Sequence, residues 1–127
     1  MTNPENLKYH ESHTWLKMEA DGACTVGITH HAQEQLGDVV YVDAPAVGRT
    51  VKQGEACGVI ESVKTAADVH APASGVVIAV NPALADAPEA INTDPYGAWL
   101  FRIKLADPAE LARLLDAAAY GKVAGEQ

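Results

Sequence analysis

Hydrophobic residues in the first two thirds of the chain fall into short runs that end at glycine, proline or aspartate. Residues 14–20 alternate between apolar and polar positions, and Asp21-Gly22 follows as a typical hairpin turn, so residues 23–28 are predicted to return as the next strand. Four further apolar runs predict strands over 39–43, 57–63, 67–72 and 76–80. Short strands separated by glycine and proline at this density indicate a β-sandwich or a flattened barrel.

A short segment after the second predicted strand shows helical signals instead. Residues 30–36 follow Thr29, a good helix N-cap, and they end at Gly37, which suits the C-terminal cap. The sequence therefore predicts a short helix near 30–36.

The end of the chain also changes from a strand pattern to a helical one. Asp107 can cap a helix that has Pro108 at its first position and Glu110 in a capping-box position. Three leucines, at positions 111, 114 and 115, would lie on one face. We predict an amphipathic helix near 108–119 that packs on the sheet.

The length and the charge of the chain limit the possible functions. The 127 residues fit one domain, taken as 1–127. Seventeen acidic residues against nine basic ones give a net charge of −8, which argues against nucleic acid or an anionic membrane as a partner. No apolar run approaches the roughly 20 residues of a membrane helix. The first ten residues, MTNPENLKYH, have no apolar core and no arginine, so we expect neither a signal nor a transit peptide and a cytoplasmic location.

Cysteine and histidine offer no pattern for a metal or redox site. Cys24 and Cys57 are 33 positions apart and are expected to be small, reduced core residues. His30 and His31 are adjacent, so on a helix their side chains point in different directions. No metal site is expected.

The stretch IESVKTAAD, residues 60–68, places one lysine between two strand-like runs. Setting His70 aside, the nearest basic residues on either side of Lys64 are Lys52 and Arg102. A solitary lysine at a turn is either a solvated surface residue or the attachment point of a covalent group.

Three longer stretches resemble the H protein of the glycine cleavage system. They read VGITHHAQEQLGDVVYVDAP, then GVIESVKTAADVHAPASGVVIAVNPAL, then INTDPYGAWLFRIKL, and the resemblance extends over about residues 7–120. It implies that Lys64 carries a lipoyl group in amide linkage at the tip of a hairpin. It also implies a mainly β fold, the barrel-sandwich hybrid of lipoyl domains, which is a flattened antiparallel β-barrel.

The resemblance further implies a carrier function rather than an enzyme. The lipoyl arm would take an aminomethyl group from the glycine decarboxylase (P protein) to the aminomethyltransferase (T protein) and be reoxidised by dihydrolipoamide dehydrogenase (L protein). A lipoate ligase or lipoyltransferase would attach the lipoate, and the carrier would be a monomer. An H-protein-like carrier that relays lipoate or sulfur intermediates outside glycine cleavage is the alternative.

Family positions also imply roles for four residues, in recognition of the lipoylation site or in the cleft for the arm. Glu61 matches a glutamate that helps the lipoylating enzyme to recognise its site. Ser12 and Asp68 match residues of the cleft in which the loaded arm rests, and Thr14 stands in that cleft where the family commonly has glutamate. Two other carriers fit the residues beside the lysine less well. Biotin carriers place the lysine between methionines, and the lipoyl domains of 2-oxoacid dehydrogenases usually place it next to aspartate and alanine.

Overall fold

The computed structural model describes residues 4, 6–19 and 21–123, and within them the strands form two antiparallel sheets. The six-stranded sheet has the order β1 (Lys8–His10), β2 (Thr14–Met18), β3 (Ala23–Ile28), β9 (Phe101–Leu105), β8 (Gly75–Val80), β5 (Thr50–Val51). The three-stranded sheet has the order β4 (Val39–Asp43), β6 (Ala56–Ser62), β7 (Ala66–His70). The prediction of a mainly β fold is confirmed. The strand pairings of the described residues leave two open sheets and do not close them into one barrel.

The two sheets pack face to face through alternating apolar residues. In β8, Val77 is buried and its neighbours Val76 and Ile78 are exposed, as expected for a strand with one face in the core. Val77, Phe101 and Ile60 belong to one hydrophobic cluster that contains residues of both sheets. This core fixes β6 and β7, and therefore the hairpin that joins them.

A second, smaller cluster is aromatic and lies at the other end of the six-stranded sheet. It contains Tyr9, Trp15 and Tyr120, all essentially inaccessible to solvent. The rings of Tyr9 and Tyr120 are stacked with centroids 4.7 Å apart. Trp15 also donates a hydrogen bond from its indole nitrogen to the carbonyl of Pro95 at 3.1 Å. These contacts attach the C-terminal part of the chain to β1 and β2.

The first helix agrees with its prediction. Helix α1 spans His30–Leu36, and the Thr29 hydroxyl accepts a hydrogen bond from the Ala32 amide at 3.2 Å. Gly37 ends the helix with φ +80°, in a region that favours glycine. Two helices that the sequence analysis did not predict, α2 (Ala83–Asp86) and α3 (Ala90–Thr93), lie between β8 and β9.

The continuous helix predicted over 108–119 is wrong. A 3-10 helix spans Pro108–Arg113, Leu114 is extended, and helix α4 spans Ala117–Val123. Leu115 interrupts the helix because its backbone forms two hydrogen bonds with Tyr9, of 2.7 and 2.8 Å, beside the edge strand β1. The unpaired backbone of an edge strand therefore outweighs local helical preference here.

Of the two capping residues predicted for the C-terminal helix, Asp107 acts as predicted and Glu110 does not. The Asp107 carboxylate accepts a hydrogen bond from the Ala109 amide, as the N-cap prediction required. Glu110 instead binds the backbone amide and the hydroxyl of Ser74, at 2.6 and 2.8 Å. Among the described residues, the helices are all too short or too polar to cross a membrane.

Candidate functional site

Lys64 lies in the two-residue tip of the hairpin that joins β6 and β7. The Ser62 amide donates to the Thr65 carbonyl at 2.7 Å, which closes the hairpin around Val63 and Lys64. The Ser62 hydroxyl accepts from the amides of Lys64 and Thr65, at 3.4 and 3.2 Å, and donates to the Thr65 carbonyl at 3.1 Å. Lys64 itself is exposed. Ser62 thus holds the tip in shape, a role that the Ser-x-x-Thr spacing could have suggested.

The hairpin leans on the connection between α1 and β4. The Val63 amide donates to the Asp38 carbonyl at 3.0 Å. The aliphatic part of Lys64 crosses Gly37, where a side-chain Cβ would lie only 3.3 Å from Lys64 Cε. Gly37 therefore provides both the positive φ at the end of the helix and the space for the lysine.

Asn92, on helix α3, fixes the segment under the lysine. Its side-chain oxygen accepts from the Val39 amide at 2.8 Å, and its side-chain nitrogen donates to the Gly37 carbonyl at 2.8 Å. The same nitrogen donates to the buried Gln33 side chain at 3.0 Å. The half-buried Asn92 amide with three partners resists displacement, since the buried Gln33 side chain would lose a hydrogen-bond partner if Asn92 moved. The sequence analysis missed this residue.

A cleft of about 240 Å³ lies beside the hairpin, between α1, the turn before β2 and the free edge of β7. Ser12, Thr14 and Asp68, which the sequence analysis assigned to one cleft, all line it. Its apolar wall includes Ile28, Leu36, Ile60 and Val69. Lys64 and Glu61 do not line it, although Thr65 and Ala66, next to the lysine, do.

Hydroxyl groups, the His13 ring, the Gln35 amide and one carboxylate provide the polar side of the cleft. The Ser12 hydroxyl lies 2.6 Å from His10 Nδ1, and the Ser12 amide donates to the same nitrogen at 3.2 Å. Burial lowers the pKa of His10, which favours the neutral ring that can accept both bonds. Thr14 is fully buried in β2, with its hydroxyl 3.5 Å from that of Ser12. Asp68 is exposed and is the only carboxylate among the described lining residues.

Tyr120 connects two walls of the cleft. Its hydroxyl lies 2.7 Å from His13 Nδ1, on the turn before β2, and 2.6 Å from the hydroxyl of Thr29, at the start of α1. The Thr29 amide also donates to the His13 carbonyl at 3.1 Å. His13 lines the cleft and has φ +71°, an uncommon conformation for a residue with a side chain. Sequence reasoning found neither His13 nor Tyr120 as part of this site.

Glu61 lies on the outer face of the three-stranded sheet. It pairs across the strands with Tyr41 on β4 and Ala66 on β7, and its side chain is exposed. In the described part of the chain, two ion pairs join arginine to a carboxylate and a third contact joins His30 to Glu34, and none of them includes Glu61, Lys64 or Asp68. The Glu61 carboxylate, three positions before Lys64, is therefore available to another molecule.

Comparison with known proteins assigns the chain to a family. A family model described as "Glycine cleavage H-protein" matches residues 7–127. The chain belongs to the glycine cleavage H-protein family. Among curated proteins, the H protein of Nitrosospira multiformis is 59% identical over 97% of this chain and 95% of its own length. The H protein of Thiobacillus denitrificans is 58% identical with the same coverage.

A solved structure extends the assignment to the fold. The crystal structure of the H protein from Mycobacterium marinum is 43% identical, covers 97% of this chain and 99% of its own, and superposes with a TM-score of 0.89. The family resemblance stated from the sequence is thus confirmed over nearly the whole chain. The two-sheet arrangement around the Lys64 hairpin is the fold of an H protein.

Proposed function

We propose that this chain is the lipoyl-bearing carrier of the glycine cleavage system, with Lys64 as the attachment residue. The observation that carries the proposal is an exposed lysine at the tip of a hairpin whose backbone is fixed on both sides. A ligase must reach the amine, and the tip of a tight turn allows this without disturbing the sheet. The lysine charge would disappear on acylation, so the net charge would change from −8 to about −9.

The residues around Lys64 fit a long, flexible, mostly apolar arm. Gly37 leaves room where the lysine crosses the end of α1, and the wall of the cleft begins one residue before it, at Leu36. The cleft volume of about 240 Å³ lies below the roughly 300–1,000 Å³ of pockets for drug-sized ligands. It would therefore hold the end of the arm rather than the whole of it.

When bound, lipoate would supply a disulfide that can be reduced, carry a group on sulfur and be reoxidised. The chain would hold and protect this group but perform no catalysis itself. The apolar wall would exclude water, and Asp68 would attract a cargo that bears a protonated amine. Ser12 and Thr14 would offer hydroxyl groups to the same cargo. Glu61 would serve recognition by the lipoate ligase or lipoyltransferase.

The partners we propose are the enzymes of the glycine cleavage cycle. The carrier would receive the aminomethyl group from the P protein, deliver it to the T protein and return through the L protein. It would act as a one-domain carrier in the cytoplasm. A second candidate, relay of lipoate or sulfur intermediates, is favoured only by Thr14, which leaves the cleft without the second carboxylate that the family commonly has.

Mass spectrometry tests the attachment residue. The chain would be co-expressed with a lipoate ligase, and intact mass with peptide mapping would show one lipoyl group, on Lys64. Lys64→Arg should remove it, whereas the matched control Lys52→Arg, also on an exposed lysine, should leave it in place. Modification of another lysine in the wild-type chain would contradict the proposal. Loading of the lipoylated chain with glycine and the P protein would then separate the two candidate functions.

A further inference from the structure

The outer face of the three-stranded sheet has an apolar surface next to Lys64 that no other part of the described chain covers. Val63 is 69% exposed, and Val40 and Tyr41 are each 53% exposed. Tyr41 lies directly across from Glu61, so the two side chains share one face of the sheet. We call the surface formed by Val40, Tyr41, Glu61 and Val63 the tip face.

Charge is divided between the two sheets. The strands of the three-stranded sheet contain Asp43, Glu61 and Asp68 and no lysine or arginine. The strands of the six-stranded sheet contain four basic residues and no aspartate or glutamate. The four are Lys8, Lys17, Arg102 and Lys104. After acylation of Lys64, the tip face would therefore be apolar at its centre and acidic at its border.

This combination resembles the composition of protein interfaces, in which aromatic and apolar anchors lie inside a polar border. A second copy of this chain would bring Glu61 and Asp43 against the same two residues, and like charges would repel. The face therefore fits a different protein, with an apolar socket surrounded by lysine or arginine.

We propose that the tip face is the docking surface for the enzyme that loads the arm, and that this enzyme has a basic rim around the entrance to its active site. The inference rests on the proposed function, because the arm must enter that active site from the hairpin tip. Tyr41 and Val63 would fill the apolar socket, and Glu61 and Asp43 would contact the basic rim. Docking would then place Lys64 at the entrance before the arm moves inward.

Binding of the unlipoylated chain to purified P protein separates docking from the arm. Tyr41→Thr and Val63→Thr keep good strand residues but remove apolar surface. The matched controls are Ile78→Thr and Val76→Thr, which change exposed apolar residues, 42% and 38% accessible, on the other sheet. We expect Kd for the Tyr41/Val63 double variant to rise at least ten-fold, and for the Ile78/Val76 double variant to change less than two-fold. Circular dichroism and thermal unfolding would verify that all variants fold.

Salt tests the charged border independently. Kd of the unlipoylated wild-type chain for P protein should rise when the salt concentration is raised from 50 to 300 mM. Contacts between exposed charges weaken because salt screens them, over a distance of about 10 Å at 0.1 M. Asp43→Asn together with Glu61→Gln should reduce that rise.

Equal Kd for the tip-face variants and their controls would overturn the proposal. So would an unlipoylated chain that does not bind P protein although the lipoylated chain is loaded. If the lipoylated wild-type chain is never loaded with aminomethyl, the proposed function fails, and that outcome is separate because it is read by loading rather than by binding.

Discussion

Removal of one hydroxyl, in Tyr120→Phe, should loosen the cleft while the aromatic cluster remains packed. The ring of Tyr120 is fully buried against Tyr9, and phenylalanine keeps that ring. The lost hydroxyl lies within hydrogen-bond distance of His13, which lines the cleft, and of Thr29, the N-cap of α1, whose helix forms another wall. The change therefore acts on the attachment of α4 to the cleft more than on core packing.

The expected magnitude follows from the burial of the partners. Thr29 is inaccessible to solvent, so the loss of a hydrogen-bond partner there is not fully replaced by water. An unsatisfied buried polar group destabilises a protein by about 1–3 kcal/mol, and we expect a loss in that range. Tyr9→Phe is the matched control, because Tyr9 is equally buried and stacked but donates its hydroxyl to the Pro4 carbonyl, near the chain terminus. Its loss should be smaller, about 0.5–1.5 kcal/mol for one ordinary hydrogen bond.

Two measurements on each variant check this reasoning. Urea unfolding gives the two free-energy changes. Amide hydrogen exchange of Ala32, which donates to the Thr29 hydroxyl, reports on the start of α1. We expect faster exchange at Ala32 in Tyr120→Phe and unchanged exchange in Tyr9→Phe. Equal destabilisation by both variants, with no difference at Ala32, would refute the idea that Tyr120 holds the cleft walls together.

Three further predictions concern the hairpin, the cleft and the C-terminal segment. Gly37→Ala should lose about 1–3 kcal/mol through backbone strain at φ +80° and slow lipoylation by crowding Lys64. Gly22→Ala, strained at φ +86° but in open space, should lose stability without slowing lipoylation, and equal lipoylation rates would contradict the crowding argument. Thr14→Glu should slow ammonia release from the aminomethyl-loaded carrier several-fold by adding a carboxylate to the cleft, whereas an equal effect of Thr14→Gln would assign the change to size. Leu115→Ala should lower the free energy of unfolding, measured with denaturant, by about 1–2 kcal/mol. This loss is below the usual 2–5 kcal/mol for leucine because Leu115 is only half-buried. A loss under about 0.5 kcal/mol would mean that Leu115 is peripheral.

Features with local signals were predicted correctly from the sequence. Helix α1 is directly preceded by its cap Thr29 and directly followed by Gly37, which ends it. The turn at Asp21-Gly22 is likewise specified by the residues of the turn itself. The Lys64 hairpin lies between two strands with apolar positions of their own. In each case the side chains that specify the structure are neighbours in sequence, so their pattern is sufficient.

Features that depend on distant contacts were missed or wrong. The helix over 108–119 had good local signals, but Leu115 pairs with Tyr9, more than a hundred positions away. The link between His13 and Tyr120 joins residues 107 positions apart. Asn92 reaches Gly37 across 55 positions. No spacing rule in one sequence predicts such pairs, because the fold of the intervening chain decides which side chains meet.

The two cysteines of this chain matter because a lipoyl carrier works by thiol–disulfide exchange. Cys24 and Cys57 are buried, and burial is the largest cause that raises the pKa of each thiol to about 11. Because the thiolate is the reactive form, at pH 8 only about one thiol in a thousand would be ionised, and neither is accessible. We expect the folded, unlipoylated chain to give no reaction with a thiol reagent at pH 8, and the denatured chain to give two equivalents. The lipoylated and reduced chain should add two more that react in the folded state, so the arm alone would exchange. Rapid labelling of Cys24 or Cys57 in the folded chain would show that the core opens often enough to compete with the arm.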